Sequence, residues 1–391
     1  MRILIVTDAY PPEIRSGALL MKELAVALRE KGHDVLVVTS SAPYGDTVEN
    51  GIRVLRIKMP SHHNVNFIAK GLSWLMMPFL FYRAVRKKIK RPIDATIVHS
   101  PPLTLAIATY LVKRHYGAKY VLNVQDFFPQ NAVDLGVLRN PLLIRFFEIM
   151  ERWAYRTSDA IVTPSYEHRN FMIEKRGVPE DKVTVVRHWI DVKPFKEIKG
   201  TGAYRSELRL ESKMIFHFGG VIGPSQGVDL LIRLAERCAP MHDIHFVIAG
   251  EGTEKAKLER MVKEKKLTNV SFRPYIEKEK YIAFLKDMDV GVLTLTSKNT
   301  TPAVPAKIMF YLASGLPVLG FLHAKSEAHR IVQEARCGYT AAYENEDACY
   351  ETLMQMYRER SQLKELGENG LRYVEKYLTP EVCVSQWEAV L

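Results

Sequence analysis

Short runs of β-branched and other apolar residues alternate along this chain with longer stretches whose apolar positions recur at i, i+3 and i+4. In the first half the runs fall at 3–7, 35–39, 52–57, 95–99, 120–124, 160–163 and 183–187, and each reads as a strand. Helical patterns lie between most of them, such as 19–29, with Leu20, Leu24, Ala27 and Leu28 on one face, and 141–155. Strands alternating with helices predict a mainly parallel sheet with helical crossovers. The pattern lapses over 191–212, a polar stretch with several Lys and Gly, and then resumes. The second series has strands at 214–218, 244–249, 270–272, 290–293 and 318–321, with helices near 227–238, 254–265, 278–286, 303–314 and 324–335. The last fifty residues are helical in pattern. The expected fold is α/β: two doubly wound domains in series, with ligands held in a cleft at the carboxyl ends of their strands.

A length of 391 residues fits two such domains, each able to bury a core, and 47% hydrophobic with 25% charged residues excludes a disordered chain. The four cysteines, at 238, 337, 349 and 383, lack the short spacings of a zinc site or redox pair, which favours a reducing compartment. Lys and Arg exceed Asp and Glu by 11, so the surface should attract an anion: nucleic acid, anionic lipid or a phosphate-bearing substrate. The opening MRILIVTDAY has too short an apolar run for a signal peptide and reads as a first strand. No stretch reaches the roughly 18 apolar residues of a membrane span. The nearest approach is 71–82, GLSWLMMPFLFY.

The segment His217-Phe-Gly-Gly-Val-Ile-Gly-Pro-Ser-Gln-Gly-Val-Asp is a strand, a turn bearing Gly219, Gly220 and Gly223, and a helix start near Gly227. Glycines let a backbone approach a bulky anion, and the free N–H groups of the following helix stabilise phosphate. Neither a Walker A motif nor a full Gly-x-Gly-x-x-Gly fingerprint is present, so this segment alone is equally compatible with plain turn chemistry. Three further segments weigh on that choice: Gly250-Glu251-Gly252 after a strand, Phe272-Arg-Pro-Tyr275, and Thr301-Pro-Ala-Val-Pro-Ala-Lys307 leading through a helix to Gly315-Leu-Pro317-Val. In the first half, Tyr10-Pro-Pro-Glu-Ile-Arg-Ser-Gly17 precedes a long helix that closes in Lys31-Gly-His-Asp-Val35.

In that order these residues resemble the GT-B fold glycosyltransferases, specifically family 4 and its branch similar to bacterial N-acetyl-fucosamine transferases of polysaccharide synthesis. The resemblance covers essentially the whole chain and rests on PPE-x2-SG with KGHDV, on GG-x-IG-x2-QG, and on VPAK-x3-YLASGLPV. It implies two Rossmann-like domains facing a central cleft: 1–190 for the acceptor and 191–370 for a nucleotide-sugar donor, with 371–391 crossing back to the first. It also implies retention of anomeric configuration. The donor contacts it suggests are Gly17, Gly220, Gly223, Gln226 and Gly250, then Glu251, Tyr275, Val304, Pro305 and Ala306.

Two departures from the family pattern matter. Many family 4 enzymes carry two glutamates eight apart, and the corresponding positions here are Pro302 and Phe310. Many also carry Arg and Lys in the glycine-rich turn, where this chain has Val221 and Gln226, and the branch it most resembles has Gln in that place. Lys307 is left as the leading diphosphate cation and a catalytic candidate. Cleaving a sugar from a diphosphate builds positive charge on the ring and negative charge on the leaving phosphate, so fixed N–H groups and a cation stabilise the transition state. No carboxylate cluster of the Asp-x-Asp kind is found, so no metal or other cofactor is expected beside the UDP-sugar substrate.

Asp126, after the strand at 120–124, is a candidate to orient the acceptor hydroxyl or stabilise the sugar cation; its alternative is a capping Asp. His99 stands at a similar strand end, either facing the ligand or packed in the fold. Residues 187–191 cross between domains and suit a hinge. Glu251 suits a ribose hydroxyl or a solvated turn, and Tyr275 a nucleobase flank or ordinary packing. The preferred function is a retaining glycosyltransferase that uses a UDP-sugar, an N-acetylated hexosamine or deoxy relative, to extend a lipid-linked or oligosaccharide acceptor. Its rival is a catalytically silent scaffold of the same fold. The charge alone also suggests nucleic acid, which no accompanying motif supports. Residues 67–91 place aromatic and aliphatic side chains before six cations, which suits a peripheral contact with the inner face of the cell membrane from the cytoplasm. The alternative is that Trp74, Leu75, Phe79 and Leu80 pack on the first sheet.

Overall fold

A computed structural model describes residues 1–13, 15–59, 67–297 and 301–391; the side chains at 16, 67–72, 278 and 279 lie outside that description. The chain divides into two compact units, Met1–His188 with Pro380–Leu391, and Trp189–Thr379.

The first unit is built on β1 (Arg2–Val6), β2 (Asp34–Thr39), β3 (Gly45–Glu49), β4 (Ile52–Arg56), β5 (Ala95–Ser100), β6 (Lys119–Val124), β7 (Ala160–Thr163) and β8 (Val183–Val185). They lie in the order β3-β4-β2-β1-β5-β6-β7-β8, with Ile3 opposite both Val35 and Ala95. Every pair is parallel except β3 with β4. β3 is absent from the hydrophobic pattern because it is polar and exposed at the sheet edge. Its signal is instead Asn50-Gly51, both at positive φ, the two-residue turn that closes a hairpin.

The helices of this unit are α1 (Ser16–Glu30), α2 (Phe67–Lys88), α3 (Leu105–Tyr116), α4 (Gln130–Asp134), α5 (Pro141–Thr157) and α6 (Tyr166–Arg176), with Pro380–Val390 closing it. α5 begins where the Asn140 side chain accepts from the N–H groups of Leu142 and Leu143, with Pro141 at its first position. Along α2, Met77, Phe81 and Val85 recur every fourth residue and enter the core with Leu4, Val98 and Leu122. The apolar stretch at 71–82 therefore divides. Trp74 and Leu80 pack against the core, whereas Leu75 and Phe79 are exposed.

In the second unit the segment 191–212 carries two short helices, α7 (Lys193–Glu197) and α8 (Ala203–Leu208); it is anchored by buried Phe195 in α7 and by buried Leu210 just after α8. Then follow β9 (Met214–Gly219), β10 (Ile244–Ala249), β11 (Val270–Arg273), β12 (Val290–Leu295), β13 (Val318–Leu322) and β14 (Gly338–Ala342). β14 is not evident in the pattern because Gly-Tyr-Thr-Ala-Ala is a weak strand sequence, set by pairing with β13. Between the strands run α9 (Asp229–Arg237), α10 (Lys255–Glu264), α11 (Lys278–Lys286), α12 (Lys307–Ser314) and α13 (Glu327–Ala335), followed by α14 (Glu346–Arg358) and α15 (Leu363–Tyr377). All strands are parallel, in the order β11-β10-β9-β12-β13-β14. That is the Rossmann order, whose direction reverses between β9 and β12. β9, β10 and β12 are buried on both faces, as a doubly covered sheet requires.

Candidate active site

In a doubly wound sheet the loops that leave two adjacent strands in opposite directions open a crevice at their carboxyl ends. In the second unit those strands are β9 and β12. The turn after β9 carries Gly220, Gly223 and Gln226, and the loop after β12 leads through Val304, Pro305 and Ala306 into α12 at Lys307. The structure brings the two together: Lys307 Nζ donates to Gln226 Oε1 at 2.7 Å and stands 3.7 Å from the centre of the Phe218 ring. A Cβ built on Gly220 would lie 3.6 Å from the same Nζ.

Burial lowers the Lys307 ammonium to about 7, although the residue keeps part of its surface open. It faces a neutral amide and the aromatic ring, not a carboxylate, among the contacts described. A cation so placed gains most from an incoming anion.

The glycine turn is held from behind. The Gly219 N–H donates to Tyr311 Oη at 3.0 Å. His217, fully buried and lowered by that burial to about 3, is neutral. Its Nδ1 lies 3.0 Å from the Val247 carbonyl and so donates there, which leaves Nε2 to accept from Tyr281 Oη at 3.0 Å. Gly250 has φ +149°, and a Cβ on it would come within 1.8 Å of the Gly220 carbonyl oxygen. Its place behind the turn therefore requires glycine.

Two other sequence candidates, and one position where the family pattern departs, stand as follows. Glu251 is exposed and pairs with Lys255 at 2.7 Å, and Tyr275 is exposed too. Phe310, at one of the glutamate positions, packs edge-on to Phe195 with ring centres 5.7 Å apart.

The first unit repeats the arrangement, its strand order reversing between β1 and β5. Asp8 and the start of α1 follow β1, and His99 closes β5. A Cβ on Gly17 would stand 2.8 Å from His99 Nε2, so the first turn of α1 lies against the imidazole. Within the first unit Gly17 is thus a neighbour of His99. His99 pairs in register with Asn123, whose Oδ1 accepts from Gln125 Nε2 at 2.6 Å. Gln125 Oε1 in turn accepts from His188 Nε2 at 2.6 Å.

Burial, with His188 nearby, brings His99 down to about 4, and burial alone brings His188 to about 4. Both are neutral near pH 7. His99 Nδ1 and Asn123 Nδ2 are buried polar atoms that make no hydrogen bond among the described residues. Asp126 accepts from Asn131 Nδ2 at 3.2 Å, while α4 starts at Gln130, after Pro129, without a side-chain cap. Desolvation pushes the Asp126 carboxyl up to about 6, against the opposing effect of the Asn131 hydrogen bond.

Sequence reasoning missed the Gln125–His188 link, because only folding brings residues 63 apart into contact. It also missed Asp8, raised to about 6 by burial against the opposing pull of Arg15 at 3.3 Å. Its signal was available: an acid at the carboxyl end of the first strand. Among the described residues no group of three His, Cys, Asp or Glu is placed to hold a metal.

Two doubly wound, Rossmann-like units in one chain are the parts of a GT-B fold. Residues 19–189 match the family described as Glycosyl transferase 4-like domain, and residues 203–373 match Glycosyl transferases group 1. The chain belongs to the GT-B glycosyltransferases. It is 26% identical over 337 residues to the putative colanic acid biosynthesis glycosyl transferase WcaI of Escherichia coli, covering 81% of this chain and 82% of that protein. It is 23% identical over 286 residues to the probable glycosyltransferase WbjE of Pseudomonas aeruginosa, covering 72% and 70%. The solved structure of Anabaena HepE in complex with UDP superposes with a TM-score of 0.73 at 12% identity, covering 100% of this chain and 99% of that one.

Proposed function

We propose that this glycosyltransferase moves an N-acetylated hexosamine or deoxy-hexosamine, with retention, from a UDP-sugar to a lipid-linked glycan of a surface polysaccharide. The carrying observation is Lys307 against Gln226 and Gly220 at the strand-order reversal of the second unit. The likeness to WcaI, a putative colanic acid biosynthesis glycosyl transferase, and the UDP held by HepE support the pathway class and the nucleotide. The N-acetyl-fucosamine branch is favoured by Gln226, which occupies the turn position where many family members carry a cation.

The second unit holds the donor. Main-chain N–H groups of the glycine turn and the Lys307 ammonium meet the diphosphate, and their attraction grows as the sugar–oxygen bond breaks and charge accumulates on the leaving phosphate. Glu251 and Tyr275 serve ribose and base, and residues 304–306 border the sugar. In the first unit neutral His99 hydrogen-bonds the acceptor, and Asp126, ionised above about pH 6, stabilises the positive ring. The leaving phosphate takes the acceptor proton, so no protein base is required. The charges at the diphosphate are thus met without a metal ion. Residues 67–91 dock the enzyme peripherally on the cytoplasmic membrane face; among the described residues no helix is long and apolar enough to cross a membrane.

The test is UDP release from candidate UDP-sugars in the presence of a lipid-linked acceptor, with Lys307→Ala as control. The variant should weaken UDP binding far more than uridine binding, because the ammonium meets the diphosphate and not the base. Equal loss for both ligands would overturn the assignment. UDP binding without any release would favour the silent scaffold that Pro302 and Phe310 suggest.

A further inference from the structure

The outward faces of α2 and α5 carry exposed apolar side chains that the core does not use. On α5, Leu142 is 80% exposed and Ile149 53%, with Leu143 and Phe146 exposed between them; their spacing puts all four on one side of the helix. Towards its C-terminal end the helix is buried, at Met150, Ala154 and Tyr155. Just before the helix Val137 is 65% exposed, and on α2 Phe79 is 59% exposed beside Leu75 and Met76.

The two helices are linked by a chain of ring contacts. The Trp74 ring of α2 lies 5.8 Å from Phe128, Phe128 lies 4.8 Å from Phe147 of α5, and Phe147 lies 5.2 Å from Phe146. On α5 the helical spacing sets the exposed Arg145 and Arg152 along one edge of the apolar face, and on α2 the exposed Arg83, Arg86 and Lys87 follow Phe79. Between 135 and 152 the acids are Glu148, paired with Arg145 at 3.5 Å, and Glu151, which is buried.

We propose that α2 and α5 together form one membrane-docking surface, with α5 a full second element that inserts Leu142, Phe146 and Ile149 into an anionic bilayer. Apolar side chains bordered by cations match acyl chains beneath negative headgroups. A second copy of this chain fits less well, since a two-fold contact would bring the same arginines together. Phe128 follows Asp126 by two residues, so docking here sets the candidate acceptor loop at the lipid surface. The inference rests on the lipid-linked acceptor of the proposed function.

Flotation of the full chain with phosphatidylglycerol-containing and pure phosphatidylcholine vesicles, at low and high salt, tests it. The triple substitution Leu142→Ser, Phe146→Ser, Ile149→Ser should lower binding to the anionic vesicles at least about tenfold while UDP binding and Tm stay unchanged. A second variant, Leu75→Ser with Phe79→Ser, reports on α2 alone. If the α2 variant loses binding and the α5 variant does not, the role of α5 is overturned and docking through α2 stands. Wild-type protein that binds no vesicle overturns both. Concentration-dependent self-association of the lipid-free wild type that the α5 variant abolishes would assign this face to a second copy and overturn the proposal.

Discussion

Lys307 reaches Gln226 across 81 residues of sequence, and its Nζ donates to an amide oxygen at 2.7 Å where a diphosphate-binding cation would ordinarily be sought next to anions. Burial leaves the ammonium near its titration midpoint at neutral pH.

Diphosphate binding should therefore take up a proton. The free protein holds Lys307 at about 7, and two negative phosphates raise it. UDP affinity should be highest below pH 7 and fall as pH rises above it. Calorimetry of UDP binding near pH 7 in buffers of different ionisation enthalpy should show uptake of roughly half a proton, lost in Lys307→Met. Uptake unchanged in that variant would assign the proton to another group.

Asp126→Asn should leave Tm and UDP affinity almost unchanged and lower turnover at least about tenfold, since its proposed work is to stabilise charge that develops during transfer. The effect should lie in kcat more than in the KM for donor. Turnover equal to wild type would reduce Asp126 to its hydrogen bond with Asn131.

Much of this was legible in the sequence, for physical reasons that can be named. Buried strands such as 244–249 are apolar on both faces, and so stand out in the pattern, and the Gly-rich turn announces itself by composition. β3 was hidden because an exposed edge strand has no apolar period, and β14 because pairing with β13 substitutes for propensity. The glycine at 250 could be placed in a turn, but its reason, the Gly220 carbonyl behind it, exists only once β9 and β10 are paired. His188, read as a hinge residue, becomes a partner of Gln125 only after β6 and the end of the first unit converge.

Gly250→Ala joins that observation to function. The added methyl meets backbone and not a movable side chain, at a φ of +149° that alanine rarely adopts. The expected cost is about 1–3 kcal/mol of stability. Because the displaced group is Gly220, UDP affinity should fall as well, by more than in Gly315→Ala, where a Cβ has open space and only the positive φ is strained. Denaturant melts and UDP titrations of the two variants make the comparison, and equal UDP affinities would dissociate Gly250 from the phosphate turn.

His168 allows the acid stability of the first unit to be assigned. It is buried, stacks on Phe127 with ring centres 5.3 Å apart, and bonds Ser165 Oγ through Nδ1 at 2.7 Å. Burial, with His188 adding to it, lowers it from an ordinary 6.5 to about 3. The unfolded chain therefore takes up this proton near pH 6.5 while the folded chain refuses it until about pH 3. The resulting stability is complete above pH 6.5 and is lost progressively as pH falls towards 3. His168→Gln keeps a polar side chain but removes the titration. Its Tm should lie below that of wild type at pH 7.5 through lost stacking, and the gap should narrow steadily as both are acidified from pH 6.5 to pH 4. A gap that stays constant over that range would show that His168 contributes packing and no proton linkage.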